Sequence, residues 1–262
     1  MTASLILKYA IELIAVLLLA LGIKGLSKVR SARGANQLAA VAMGLAIVGL
    51  LINYLGSGGI AANAWIWILL GSVIGGLLGA ITAQRVPMTS MPETVALFNG
   101  CGGMSSLLVA LAAALYPQAL QSAGLVALVS IVVSVFVGAI TFTGSIVAMA
   151  KLQGWLSTPA WMQSRARHAV NIALAVISLI AAIQMLASGQ ATQGLALLVI
   201  GSSLLGIGVT LPIGGADMPV VISLLNSYSG VAAAAAGFVV GSQLLIVAGA
   251  MVGAAGLILT QV

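Results

Sequence analysis

The stretch that decides the fold runs from Leu211 to Phe238 and reads LPIGGADMPVVISLLNSYSGVAAAAAGF. One acid, Asp217, opens an otherwise uncharged segment that carries Asn226, Ser227 and Ser229 among apolar neighbours. Moving an amide into hydrocarbon without a partner costs roughly 2–7 kcal/mol, so these groups need partners, water or a chemical task.

The remainder of the chain points to that burial. Of its 262 residues 62% are hydrophobic and 5% charged, with a mean hydropathy of +1.26. Soluble domains devote about a quarter of their residues to charge, so this chain could not solvate its own surface. Most apolar runs are about 20 residues long, the length that crosses a core of about 30 Å as a helix. A β-barrel would show short alternating segments instead, and the sequence has none. The expected fold is therefore all-α, a polytopic membrane bundle of about nine transmembrane helices. Their approximate limits are 4–24, 35–55, 62–83, 91–115, 123–150, 168–187, 193–211, 219–239 and 242–260.

Charge placement predicts the orientation. Lys24, Lys28, Arg30 and Arg33 follow the first span, Arg85 the third, and Lys151, Arg165 and Arg167 the fifth. The intervening loops GSGGIAAN and ASGQATQ carry no basic residue. By the positive-inside rule the N-terminus lies outside and, after an odd number of spans, the C-terminus inside. The net charge of +6 is scattered over short loops, without the basic stripe that nucleic-acid binding requires. The first span is not a cleaved signal, because its basic cluster follows the apolar run. The abrupt end at Gln261-Val262 without a basic flank predicts a further soluble part.

Two spans share a pattern. Met91-Pro92 precedes Asn99 by the spacing at which Met218-Pro219 precedes Asn226, and Gly103 and Gly230 then fall in register. Both asparagines lie roughly 10 Å from the cytoplasmic end of their helices at 1.5 Å per residue. Ser223, Asn226, Ser227 and Gly230 share one face, as do Asn99, Gly103 and Ser106. The functional reading is two matched helices lining one hydrated path; the structural one is small and amide residues gluing helices together. Asp217 and Glu93 also read as helix-start residues. Glu12 has Lys8 one turn before it, a sufficient partner. His168 reads as a solvated boundary residue and Cys101 as small packing. Gly249, Gly253 and Gly256 give the last span a smooth face for close packing. Cysteine, histidine and acid counts are too low for a metal site. Apart from Glu12 no ionisable group lies deep in a span, so any proton path needs a titratable group from a partner subunit.

IGGADMPVVISLLNSYSGVAAAAAGF, together with FTGSIVAMAKLQG from Phe142 and MPETVALFNG from Met91, resembles the membrane domain of the β subunit of proton-translocating NAD(P) transhydrogenases. The resemblance covers essentially 1–262 and makes that span one transmembrane proton-channel domain. It implies a translocating oxidoreductase of the cell inner membrane, in which inward proton movement accompanies hydride transfer from NADH to NADP⁺. NAD(H) would bind the α subunit and NADP(H) a soluble domain beyond the last helix, so no cofactor is expected on this stretch. An α subunit supplying further helices, a dimer of αβ protomers and the lipid bilayer are the implied partners. Carried over by motif, Asn226 and Ser145 line the channel, Asp217 is the acid at its cytoplasmic mouth, and the glycine face of the last helix couples membrane to nucleotide domain. Asn99 departs from the histidine that many members carry there, which removes a protonation relay at that position. The proton path expected from motif and helical face together is Asn99, Asn226, Ser145, Ser227 and Asp217.

Two other classes compete. An ion-coupled secondary transporter would need a substrate-sized cavity between the Asn99 and Asn226 helices. A passive anchor would tolerate loss of Asn226 and Asp217.

Overall fold

The computed structural model describes residues 3–26, 28–56, 61–116, 124–188 and 194–261. Within them the chain forms α1 (Ala3–Leu26), α2 (Val29–Gly56), α3 (Ala62–Arg85), α4 (Met91–Leu115), α5 (Gly124–Leu152), α6 (Ala166–Ser188), α7 (Leu195–Thr210), α8 (Met218–Val240) and α9 (Gln243–Gln261). No strand occurs among the described residues. The expected starts at 123 and 193, half of the loop GSGGIAAN and most of the loop ASGQATQ lie outside them.

Eight of these helices are long and apolar enough to span a bilayer. The ninth, α7, has 16 residues, or about 24 Å, and falls short of a full crossing. α2 starts at Val29, six residues ahead of the expected limit, so Arg30 and Arg33 ride on its first turns. Lys24, Arg85 and Lys151 occupy the last turns of α1, α3 and α5. Cations there complement the exposed carbonyls of a helix C-terminus.

The chain divides into two compact units, Met1–Val86 and Pro87–Val262. In the first, α1 and α2 pack through small residues. A Cβ on Gly25 would come within 2.7 Å of the Ala35 methyl, and Gly22 lies against the Ala35 carbonyl. Such contacts let helix backbones approach closely where hydrocarbon gives no driving force for association. Glu12 is buried on this pair, 3.8 Å from Lys8. No residue of α3 is buried where its side chain is described.

The second unit is built around α5, which packs on α4, α6, α7 and α8. α4 and α5 are antiparallel: Gly100 meets Ser145, Gly103 meets Thr141 and Gly138 meets Leu107. Further along, Leu107, Ala110, Ile131, Val135 and Ala139 form a core with Ala181 and Met185 of α6 and Leu198 of α7. A smaller cluster at the other end joins Ala96, Ala148, Met218 and Ile222. α8 turns into α9 at Gly241, whose φ of +66° favours glycine. The two helices then close on Gly230, Gly249 and Gly256, where any Cβ would strike the facing backbone.

Candidate functional site

α4 and α8 begin alike. Each follows a short 3-10 turn, Met88–Ser90 and Gly215–Asp217, and each has proline in its first turn. Proline suits that position because the first amides have no intrahelical acceptor and its φ is already helical. The helices run in the same direction: Ala96 shares a cluster with Met218 and Ile222, and farther in Asn99 meets Ser229.

Asn99 is the hub. Its Nδ2 donates to Ser145 Oγ on α5 at 2.9 Å, and its Oδ1 accepts from Ser229 Oγ on α8 at 2.9 Å. Both halves of the carboxamide are therefore used, each by a serine hydroxyl. Gly100 admits this arrangement, since a Cβ there would lie 3.2 Å from that of Ser145. Ser145 itself is fully buried. The hydrogen bonds run in one sense, Ser229 to Asn99 to Ser145, across three helices. Such a chain polarises and can orient water, yet none of its members titrates near neutral pH.

The matched-helix pattern meets a register offset. By sequence Asn99 corresponds to Asn226, but the helices bring Ser229, three residues later, to the Asn99 carboxamide. Asn226 lies on an exposed face of α8. The matched glycines likewise part company: Gly103 fits against Thr141 of α5 and Gly230 against Gly253 of α9. Ser227 is fully buried and donates to the Gly253 carbonyl at 2.6 Å. Ser223 donates to the Gly256 carbonyl and accepts from Thr260. Ser227 and Ser223 thus turn toward α9, where Gly249, Gly253 and Gly256 are buried.

Asp217 stands at the N-cap of α8, exposed, and makes no side-chain capping bond. Glu93 lies in the first turn of α4, where one carboxylate oxygen, Oε2, is buried without a hydrogen-bond partner. Neither acid caps its helix through a hydrogen bond, so for both the helix-start reading rests on charge alone. His168 is exposed and accepts from Arg167 Nε at 3.3 Å. Cys101 is exposed. Among the described residues no three acids, cysteines or histidines gather as a metal site.

Ser229 and Lys151 were not singled out from sequence for the roles the structure gives them. Helical spacing assigns faces, whereas the pairing of Ser229 with Asn99 depends on how two helices cross. Lys151, read only as a marker of orientation, donates to Thr158 Oγ1 and to the Leu211 and Ile213 carbonyls at 2.6–2.7 Å.

Residues 8–262 match the family described as the NAD(P) transhydrogenase beta subunit. The chain is also 40% identical over 267 residues to the NAD(P) transhydrogenase subunit beta of Rhodospirillum rubrum, and equally to that of its strain ATCC 11170. All of this chain is covered, against 55% of each relative. The chain thus spans about half the length of the curated relatives it matches.

Proposed function

Because the chain belongs to the NAD(P) transhydrogenase beta subunit family, we propose that it forms the membrane part of a transhydrogenase that couples inward proton movement to hydride transfer from NADH to NADP⁺. The observation that carries this reading is the Asn99 hub, a carboxamide that joins three apolar helices through its nitrogen and its oxygen and keeps one N–H and one lone pair for water. Its polar atoms hold a line of water in place and leave the charge to another group.

Asn226 supports a second part of the proposal. On a helical net of 100° per residue it lies between Ser229, which turns to α4, and Ser223, which turns to α9. An amide on an exposed strip of a membrane helix needs a polar neighbour. Helices of an α subunit fill this place, and one of them brings the titratable side chain that Asn99 and Asn226 lack. Exposed Cys101 and Gly102 border the same strip on α4. Asp217 faces a nucleotide domain at the cytoplasmic mouth, with NADP(H) bound beyond the last helix and NAD(H) in the α subunit. The assembly is a dimer of αβ protomers in the cell inner membrane, its N-terminus outside.

The test uses the whole complex in liposomes, with proton pumping and hydride transfer read in parallel. Asn99→Leu, which removes both hydrogen bonds, should lower pumping by at least about tenfold. Asn226→Leu should also impair it. Unchanged pumping in both variants defeats the channel reading and favours a passive anchor.

A further inference from the structure

The segment between α7 and α8 is held to the bundle at both ends and has only its own 3-10 turn in the middle. Its first part, Leu211 and Ile213, gives its carbonyls to Lys151 Nζ, each at 2.6 Å. Its far end, Met218, is fully buried beside Ala96 and Ala148. Between these anchors Gly214, Gly215, Ala216 and Asp217 are all exposed. Both anchors rest on the last turns of α5, since Met149 and Leu152 pack on the Met218 cluster beside Lys151.

Lys151 is well matched to its place. A lysine ammonium has three protons and no acceptor, and here it meets three oxygens. The third is Thr158 Oγ1 at 2.7 Å, which in turn donates to the Leu211 carbonyl at 3.1 Å. The chain returns to deliver Thr158 because it folds back after α5, where the Trp155 amide bonds the Ala150 carbonyl and Gly154 takes φ +74°. The Leu211 and Ile213 carbonyls lie just beyond the C-terminus of α7, where the helix dipole is negative and a cation is stabilising. No carboxylate within 4.0 Å competes for Lys151 among the described residues.

We propose that Lys151 is a positioning residue: tied to the Leu211 and Ile213 carbonyls, it fixes where the Gly214–Asp217 segment stands on the bundle, and hence where Asp217 is presented. The Asp217 amide bonds the Gly214 carbonyl and closes one turn, but two adjacent glycines would otherwise let that turn shift, since Gly215 has no neighbour within 4 Å of a Cβ. This rests on the reading that Asp217 faces a nucleotide domain, and it adds the device that keeps the acid in register with α5.

The experiment uses the full complex with Cys101→Ser and Ala216→Cys, so that the substituted position 216 carries the only thiol of this stretch. Labelling of that thiol by a membrane-impermeant maleimide, located by mass spectrometry, is followed alongside protons pumped per hydride. Lys151→Met should speed labelling and lower the pumping ratio, each by about tenfold, as expected when charge-assisted hydrogen bonds are lost. Lys151→Arg, which keeps the charge and donors, should stay within about twofold of the parent. Thr158→Val should give a partial effect of about threefold, because the carbonyl bonds remain. Unchanged labelling in Lys151→Met overturns the positioning role, as does equal loss in Lys151→Arg and Lys151→Met. Faster labelling with an unchanged pumping ratio retains the positioning and rejects its part in coupling. Failure of the channel reading shows separately, as normal pumping in Asn99→Leu.

Discussion

α3 and α5 are similar in composition and opposite in fate. Both are long and apolar enough to cross a membrane. Yet none of the most apolar stretch of α3 is buried, against 44% in α5. The difference lies in what the small residues touch. On α3, Gly71, Gly75, Gly76 and Gly79 have open space where a Cβ would go. On α5, Gly138 and Gly144 are pressed against neighbouring helices. Its hydroxyls are occupied as well: Ser134 donates to the Ser106 and Ala232 carbonyls, and Thr143 to Ser203 of α7. Hydropathy marks a helix as belonging in the membrane; small polar residues with defined partners mark it as belonging in the centre.

The contrast can be broken most directly by adding bulk. A Cβ on Gly206 of α7 would lie 2.6 Å from the Ile140 carbonyl of α5. Gly206→Val should cost about 3 kcal/mol by overpacking, whereas Gly75→Val on α3 should change stability by no more than about 0.5 kcal/mol. Unfolding of this membrane domain in detergent measures both, and equal effects would erase the distinction.

Removing a hydrogen bond gives a smaller signal. Thr143→Val keeps the shape and loses the bond to Ser203, which should cost about 1 kcal/mol in a membrane bundle. Ser134→Ala should cost about 0.6 kcal/mol. Ser72→Ala on exposed α3 should be neutral in the same assay, which makes it the control that sharpens the comparison.

Much of this architecture was legible because apolar length and charge breaks are local properties. Met91-Pro92 and Met218-Pro219 marked two helix starts correctly, and the Gly249, Gly253 and Gly256 face was visible from spacing alone. Position 145 was reached by motif, and the structure puts Ser145 on the Asn99 carboxamide. What escaped was set by the crossing of helices. The three-residue offset between α4 and α8 brings Ser229 to the hub, and no periodicity within one helix encodes it. Lys151 escaped for a related reason, since two of its three acceptors, the Leu211 and Ile213 carbonyls, lie 60 and 62 residues away along the chain. The limits of α2 and α7 also moved, because basic residues can ride on helical turns at an interface and a short helix can hide inside a run of apolar sequence.

The brevity of α7 has an electrical consequence. A bilayer meeting a helix of about 24 Å thins around it or lets polar headgroups sink inward. The insulating layer beside α7 is then narrower than elsewhere, and the membrane voltage drops over less distance there. Thr143, bonded to this helix, and Ser145, bonded to Asn99, stand two residues apart on α5 and so face opposite sides of it, which keeps the width of α5 between the thinned strip and the polar hub. Any charge moving along α7 would gain more of the roughly 2.3 kcal/mol available per 100 mV in each ångström of travel.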